Sequence, residues 1–463
     1  MNEVPTSRAR GRIADVEIES LGAAGDGLAN IGGLRVSVPF TIPGERVRVH
    51  IAERRGREAV ATLLEVLRPS PHRTTPMCRH FGPGAAPGLG PCGGCTWQHI
   101  DYPEQLRLKT GMVHELVHTA VPDAPAAKPT LTGTAVDNPW GYRNKVHFVF
   151  GRGSGLTMGH YARGSRRVIP VEECPVHHTR GNRFAFAARD TFVAAGLEAA
   201  DAGRGTLRSL AVRVGEHTSE VMAALIVSSD RDRRVRNATR RLLEQSPPTS
   251  MHVNVHARDD AFIFGPSTRH LHGPGRMREV VAGTSFLISP AAFFQTNVAA
   301  AGILVGLVLD AVKPVQTVLD LYAGSGLFAI PLAAAGNTVI AVEGNRIAVA
   351  DGEAALKLNR EAQPRCRFVS GRVETTIRTF RETDVVVLDP PREGCAPSVL
   401  RDVFRRLRPA SAVYVSCNPE ALASDLRRIA EAGYCVTDVQ PIDMFPHTAH
   451  IETVVRLARR NTP

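Results

Sequence analysis

Apolar and polar residues alternate with period two through the N-terminal stretch. Val16 and Ile18 alternate with Glu17 and Glu19. Leu34, Val36, Val38 and Phe40 alternate with Arg35, Ser37 and Pro39, and Val47, Val49 and Ile51 with Arg46, Arg48 and His50. Gly22, Gly25, Gly27, Gly32, Gly33 and Pro43-Gly44 punctuate these runs, so the pattern predicts a small twisted OB-like β-barrel over 5–68. A Pro-rich linker, Pro69 to Pro76, follows. Over 69–290, strand-like runs (Lys145–Phe150, Val221–Ser228) mix with an Arg-rich helical segment (Arg231–Glu244), which predicts a central α+β region. After residue 290 the chain turns to regular β–α alternation. Strand-like runs end at Leu321, Glu343, Val369, Asp389, Cys417 and Ile442, and a final run covers Ile451 to Leu457. Seven such strands over 291–463 predict a doubly wound parallel sheet, with ligands at the carboxyl ends of its strands. Asp320 to Gly326, Glu343, Asp389 and Cys417 all fall at those ends. The chain therefore reads as a multi-domain α/β protein.

Composition narrows the class. The 463 residues are 43% apolar and 22% charged, which excludes wholesale disorder. The longest apolar run, Val298 to Leu309, is 12 residues, too short to span a bilayer. Met-Asn-Glu-Val opens the chain without an apolar signal segment, so a cytoplasmic protein with no membrane partner is expected. Of the net charge of +11, +9 lies between 71 and 290, which marks that stretch as the side facing a polyanion. Only five of the basic residues are Lys, a bias that genome composition explains without invoking function.

Eight cysteines are too sparse for a disulfide scaffold. Cys92-Gly-Gly-Cys95 lets two thiolates converge on one metal or cluster; Cys78 precedes it, and Cys174 is followed by Pro175. Four thiolates suit zinc or a [4Fe–4S] cluster, and the spacing does not choose between them. A redox pair, or merely buried cysteines, is the alternative.

The strand Val318-Leu-Asp-Leu runs into the turn Tyr322-Ala-Gly-Ser-Gly326, where glycines let a ligand approach the backbone. Gly324-x-Gly326-x-x-Ala329 also fits a dinucleotide fingerprint. Asp320 favours S-adenosylmethionine instead, because a carboxylate there pairs with a cationic methionine group and repels a pyrophosphate. Glu343, closing the next strand, can accept both ribose hydroxyls. The polar segment Phe293-Phe-Gln-Thr-Asn297 caps a long predicted helix. Asp389-Pro-Pro is followed by Arg392 rather than an aromatic, which disfavours attack by an exocyclic amine. Cys417 then arrives at a strand end as a candidate nucleophile, activated as a thiolate by a cationic cofactor. Pyrimidine C5 is a poor nucleophile until a thiolate adds at C6, and the C5 proton must later be removed by a base. Glu452 is the candidate base; an ion pair with Arg456 is the alternative role.

Taken together, the chain resembles the bacterial RNA uracil-5-methyltransferase family over nearly its whole length. The motifs Phe294-Gln-Thr-Asn297, Leu319-Asp-Leu-Tyr-Ala-Gly-Ser-Gly326, Asp389-Pro-Pro-Arg392, Ser416-Cys-Asn-Pro419 and His450-Ile-Glu452 carry the resemblance in order. It implies a TRAM barrel at the N-terminal side and a Rossmann-like methyltransferase domain at the other end. It implies that Gln295, Tyr322, Gly324, Glu343 and Asp389 bind S-adenosylmethionine, with Cys417 as nucleophile and Glu452 as base. Cys78, Cys92, Cys95 and Cys174 resemble the family's ligands to a [4Fe–4S] cluster, and Tyr142-Arg-Asn-Lys145 its RNA-facing segment. The expected substrate is a uridine in structured RNA, ribosomal rather than transfer RNA, and the expected state is a monomer. An iron–sulfur nicotinamide oxidoreductase and a non-catalytic RNA-binding protein are the competing readings.

Overall fold

The computed structural model describes residues 12–84, 90–200, 204–258 and 263–460. The start of the predicted barrel (5–11), the middle of the Gly82–Gly90 loop and the last three residues lie outside the described residues. The chain forms two compact units. One holds Met1–Gln105, His160–Val171 and Pro446–Ala449, and the other holds Leu106–Gly159, Glu172–Phe445 and His450–Pro463.

In the first unit six strands lie in the order Arg12–Glu17, Arg46–Arg55, Glu58–Arg68, Leu34–Val38, Gly27–Ile31, Ser20–Leu21. Neighbours are antiparallel except Leu34–Val38 and Glu58–Arg68, which run parallel. The period-two pattern has its physical meaning here: Val16, Val36, Val38, Val47 and Val49 meet in one core. On the outer face Asp15 and Arg48, cross-strand partners, pair at 2.9 Å. Sequence reading had not singled out the strand Glu58–Arg68; its second half is partly exposed and loses the alternation. Glu45 is fully buried, yet its carboxylate accepts from the backbone N–H of Ile42 (2.9 Å) and Ser70 (3.2 Å) and from Arg73 Nη2 (2.7 Å). Those bonds offset its desolvation and tie the linker to the sheet.

The second unit contains a mixed sheet and a larger eight-stranded one. In the mixed sheet, Leu156–Tyr161, Lys145–Arg152, Leu207–Val214, Val221–Val227, Ser250–Val255 and Ser267–His272 are successive neighbours. The larger sheet has the order Cys366–Ser370, Thr338–Glu343, Thr317–Leu321, Val385–Leu388, Ser411–Ser416, Glu452–Arg459, Tyr434–Asp443, Leu131–Thr132. Adjacent residues along its strands feed opposite cores: Val318, Val387 and Val413 one, Leu319, Val386 and Tyr414 the other. A sheet buried on both faces reads as a continuous apolar run, as Val385–Leu388 does.

Two features differ from the sequence expectation of an all-parallel, seven-stranded sheet. The last strand, Glu452–Arg459, runs antiparallel to both of its neighbours, and Leu131–Thr132 adds an eighth strand from outside the 291–463 segment. The apolar run opens the helix Val298–Ala311, which is buried against the sheet. Asn297 caps it, its side chain accepting from the Ala300 N–H at 3.1 Å. Among the described residues, no helix is long and apolar enough to cross a membrane.

Candidate active site at the carboxyl edge of the sheet

The strand Thr317–Leu321 delivers Asp320 into the interior and ends in a sharp turn. Tyr322 takes a left-handed backbone (φ 63°), as do Gly324 (φ 55°) and Gly326 (φ 88°). A Cβ on Gly326 would lie 2.7 Å from Phe368 Cζ, so packing as well as conformation demands glycine there. Gly324 faces open space, and its N–H donates to Glu343 Oε2 at 2.8 Å. Oε1 of the same carboxylate accepts from the Asn345 N–H at 2.6 Å. Glu343 thus closes the glycine turn against the neighbouring strand, in parallel register.

Carboxylates crowd this edge. Asp320 is fully buried, and neither of its side-chain oxygens accepts a well-formed hydrogen bond, with the Ala329 N–H alone pulling toward the charged form. Burial, then the nearby Asp389, holds its carboxyl well above the ordinary range. Asp389 is itself pushed up to about 7 by burial and by Glu343. An acidic, partly desolvated sheet edge with an orphaned buried carboxyl fits a ligand carrying positive charge, such as a sulfonium or ammonium group. It fits a pyrophosphate poorly, which removes the physical basis of the nicotinamide reading.

Cys417 follows the strand Ser411–Ser416, and Asn418 begins the next helix. Asn418 Oδ1 accepts from the Glu420 N–H at 3.1 Å, while Nδ2 donates to the Arg392 carbonyl at 2.9 Å. One side chain thereby caps the helix Pro419–Glu431 and fixes the Asp389–Arg392 loop beside the thiol. Asp425 on the same helix accepts from the Tyr414 hydroxyl (2.7 Å) and the Cys395 N–H (2.8 Å), fastening that loop from behind. Sequence reading missed Asn418 and Asp425 in these roles; Asn before Pro at a helix start is the signal that finds the first.

Glu452 reaches Cys417 through the antiparallel pairing. Ser416 pairs with Thr453, so Glu452, first residue of the last strand, stands beside Cys417, with Ile442 as its register partner on the other side. It is 5% exposed, and burial followed by Asp389 raises its carboxyl well above the ordinary range, against an opposing pull from Arg392. The alternative ion pair is not made: Arg456 instead lies 3.7 Å from Asp438 and donates to the Leu307 carbonyl. Cys417 is half-buried, and its thiol is pushed up to about 11 by burial, Glu452 and Asp389, with Arg392 pulling the other way. Burial and the neighbouring carboxylates thus favour the thiol over the thiolate at Cys417. His450 is held down to about 4 by burial and by Arg392, Lys109 and Arg143, which keeps a neutral imidazole close by.

Gln295 is buried two residues before the Asn297 cap, and its carbonyl accepts from Arg213 Nη1 at 3.5 Å. Arg213 is fully buried, a role that sequence reading missed, and its other terminal nitrogen donates to the Phe294 carbonyl at 3.3 Å. Lys145, its register partner, is held down to about 7 by burial and Arg213, and lies 5.5 Å from the Phe264 ring centre.

The expected metal ligands behave differently. Cys78, Cys92 and Cys95 belong to the first unit and Cys174 to the second. The Gly94 N–H points at Cys92 Sγ (3.4 Å), and burial pushes that thiol up to about 11, with Cys78 adding to the rise. Among the described residues, no three His, Cys, Asp or Glu side chains form a group able to hold a metal ion. A cluster at these four cysteines is therefore not shown among the described residues.

Residues 281–460 match the tRNA (uracil-5-)-methyltransferase family, and residues 14–72 match the TRAM domain of tRNA (uracil(54)-C(5))-methyltransferase. The chain is 35% identical to an uncharacterized RNA methyltransferase of Gloeobacter violaceus, with 98% of each chain covered. It is 34% identical to another from Synechocystis sp., covering 98% of this chain and 97% of that one. The crystal structure of Pyrococcus abyssi tRNA (uracil-54, C5)-methyltransferase in complex with S-adenosyl-L-homocysteine superposes with a TM-score of 0.78 at 25% identity, covering 96% of this chain and 100% of that one. A strand edge lined with carboxylates suited to a cation and these matches lead to one conclusion: the chain belongs to the S-adenosylmethionine-dependent RNA uracil-5-methyltransferase family and carries a TRAM region at its N-terminal side.

Proposed function

We propose that the protein methylates C5 of a specific uridine in structured RNA through a covalent bond between Cys417 and C6 of the base. The observation that carries this reading is the antiparallel last strand, which sets Glu452 beside Cys417 and Asp389 at the carboxyl edge. Gln295, Tyr322, Gly324, Glu343 and Asp389 would hold S-adenosylmethionine, which supplies an electrophilic methyl carbon when bound. Cys417 gives up its proton to solvent and its sulfur bonds to C6, placing electron density on C5. C5 would take the methyl group, the electrons of the broken S–CH3 bond staying with the donor sulfur; Glu452 as carboxylate removes the C5 proton, and the electron pair left behind expels the Cys417 sulfur. Arg392 favours the anionic forms of Cys417 and Glu452 and so assists both the first and the third step.

In this reading 5–68 is an OB-like TRAM barrel, 69–290 an RNA-binding region and 291–463 a Rossmann-like donor domain. The target base is turned out of its stack to reach the pocket. Ribosomal RNA is the first substrate to test. Transfer RNA is the second, favoured by the named activity of the Pyrococcus abyssi enzyme. The test is nucleoside mass spectrometry after incubation with S-adenosylmethionine and unmodified ribosomal or transfer RNA in separate tubes. New 5-methyluridine in one tube, absent with Cys417→Ala, supports the mechanism and chooses the substrate. Methylation at another atom refutes it. No step passes through the cysteines Cys78, Cys92, Cys95 and Cys174; iron and acid-labile sulfide in anaerobically purified protein support a cluster there, and their absence refutes it.

A further inference from the structure

The mixed sheet of the second unit ends in a basic groove. The strand Ser267–His272 is its edge, and the helix Arg233–Gln245 packs nearby, leaving a cavity of ≈ 200 Å³ between them. Its floor is apolar (Val227, Val253, Leu271), and among the described residues Arg236, Arg240 and Arg269 line its walls against the carboxylate of Asp230. All three arginines are exposed. Among the described residues Arg240 and Arg269 form no ion pair, and Arg236 donates to the Asp230 backbone carbonyl at 3.2 Å. Stability does not account for this arrangement. Beyond its acidic N-cap Asp232, the first turn of the helix has no acidic residue and carries Arg233 and Arg234, the wrong sign for the positive end of the helix dipole. Edge-strand protection explains Arg269, but it does not explain the arginines on the facing helix.

We propose that this groove is a second RNA-binding surface, in which the three guanidiniums hold phosphodiesters while the apolar floor accommodates a base or ribose. The inference rests on the RNA-methyltransferase reading and adds a contact outside the catalytic pocket. Four strand pairings separate Ser267–His272 from Lys145–Arg152, the strand whose Lys145 adjoins the Phe293–Asn297 segment, or about 19 Å at the usual strand spacing. The groove therefore engages RNA several nucleotides from the target uridine. Arginine suits the task because its planar fork matches phosphate oxygens.

The experiment compares the full-length protein with Arg236→Ala/Arg240→Ala/Arg269→Ala and with the corresponding triple Lys variant. The probe is the transcript that the native protein methylates, and binding is measured from 0.05 to 0.3 M salt. If each arginine holds one phosphate of a single-stranded segment, the Ala triple loses about 50-fold in affinity at 0.15 M salt, and its salt slope falls by about 2. The Lys triple keeps most of the slope, S-adenosylmethionine affinity is unchanged in both variants, and turnover at saturating RNA is retained. Unchanged RNA affinity and slope in the Ala triple overturn the proposal, including in the case where the groove serves an acidic protein. A native protein that neither binds nor methylates RNA overturns the underlying reading instead, so the two failures are distinguishable.

Discussion

Cys417 should resist alkylation at neutral pH in the free protein and become reactive only when the charge around it changes. Its thiol is pushed up to about 11, so at pH 8 about one molecule in a thousand carries the thiolate. An ordinary cysteine would be ionised in about one molecule in four at that pH. The contrast amounts to about 250-fold in alkylation rate before any effect of access. Three changes have definite signs. Asp389→Asn removes a negative neighbour and lowers the midpoint, whereas Arg392→Ala removes the opposing cation and raises it. S-adenosylmethionine should lower the midpoint relative to S-adenosylhomocysteine, because the two differ by one positive charge; each tenfold gain in rate at fixed pH corresponds to about 1.4 kcal/mol. The assay is a timed iodoacetamide pulse from pH 7 to 11, read by mass spectrometry on the tryptic peptide 407–427, whose only cysteine is Cys417. A rate that levels off below pH 9 in the free protein would refute the argument, as would a midpoint that rises in Asp389→Asn.

Glu452→Gln should retain adduct formation but lose C5 deprotonation, so a covalent RNA–protein band accumulates on denaturing gels and turnover falls about 10²–10⁴-fold; normal turnover excludes the base role. Asp389 binds a proton below about 7 and then loses the charge that faces a cation. Calorimetry should accordingly show S-adenosylmethionine affinity falling from pH 8 to pH 6, with a flatter profile in Asp389→Asn. Asn418→Ala removes a helix cap and the bond to the Arg392 carbonyl, and urea unfolding should register about 1–2 kcal/mol of lost stability together with a lower kcat. Lys109 and Asp443 are fully buried and paired at 2.6 Å. Lys109→Met should cost about 3–5 kcal/mol by stranding the carboxylate, and Lys109→Met/Asp443→Leu should recover most of it.

The sequence alone determined where chemistry could collect. Period-two runs placed the N-terminal core at Val16, Val36, Val38, Val47 and Val49, because one face of a pleated strand must meet other apolar surface. The β–α alternation put Asp320, Glu343, Asp389 and Cys417 at strand ends, and local rules placed the Asn297 cap and the glycine turn. All of these are short-range consequences of backbone geometry. Strand direction is not, because a strand buried on both faces carries no alternation that reports which way it runs or what lies beside it. Tertiary pairing alone made Glu452–Arg459 antiparallel, set Glu452 against Cys417, and left Arg456 to Asp438. It also supplied Leu131–Thr132 as an eighth strand. The protonation states of Asp320, Asp389, Cys417 and Glu452 belong to the same class. Each depends on burial and on charges contributed by different strands, so they exist only once the sheet has brought those strands together.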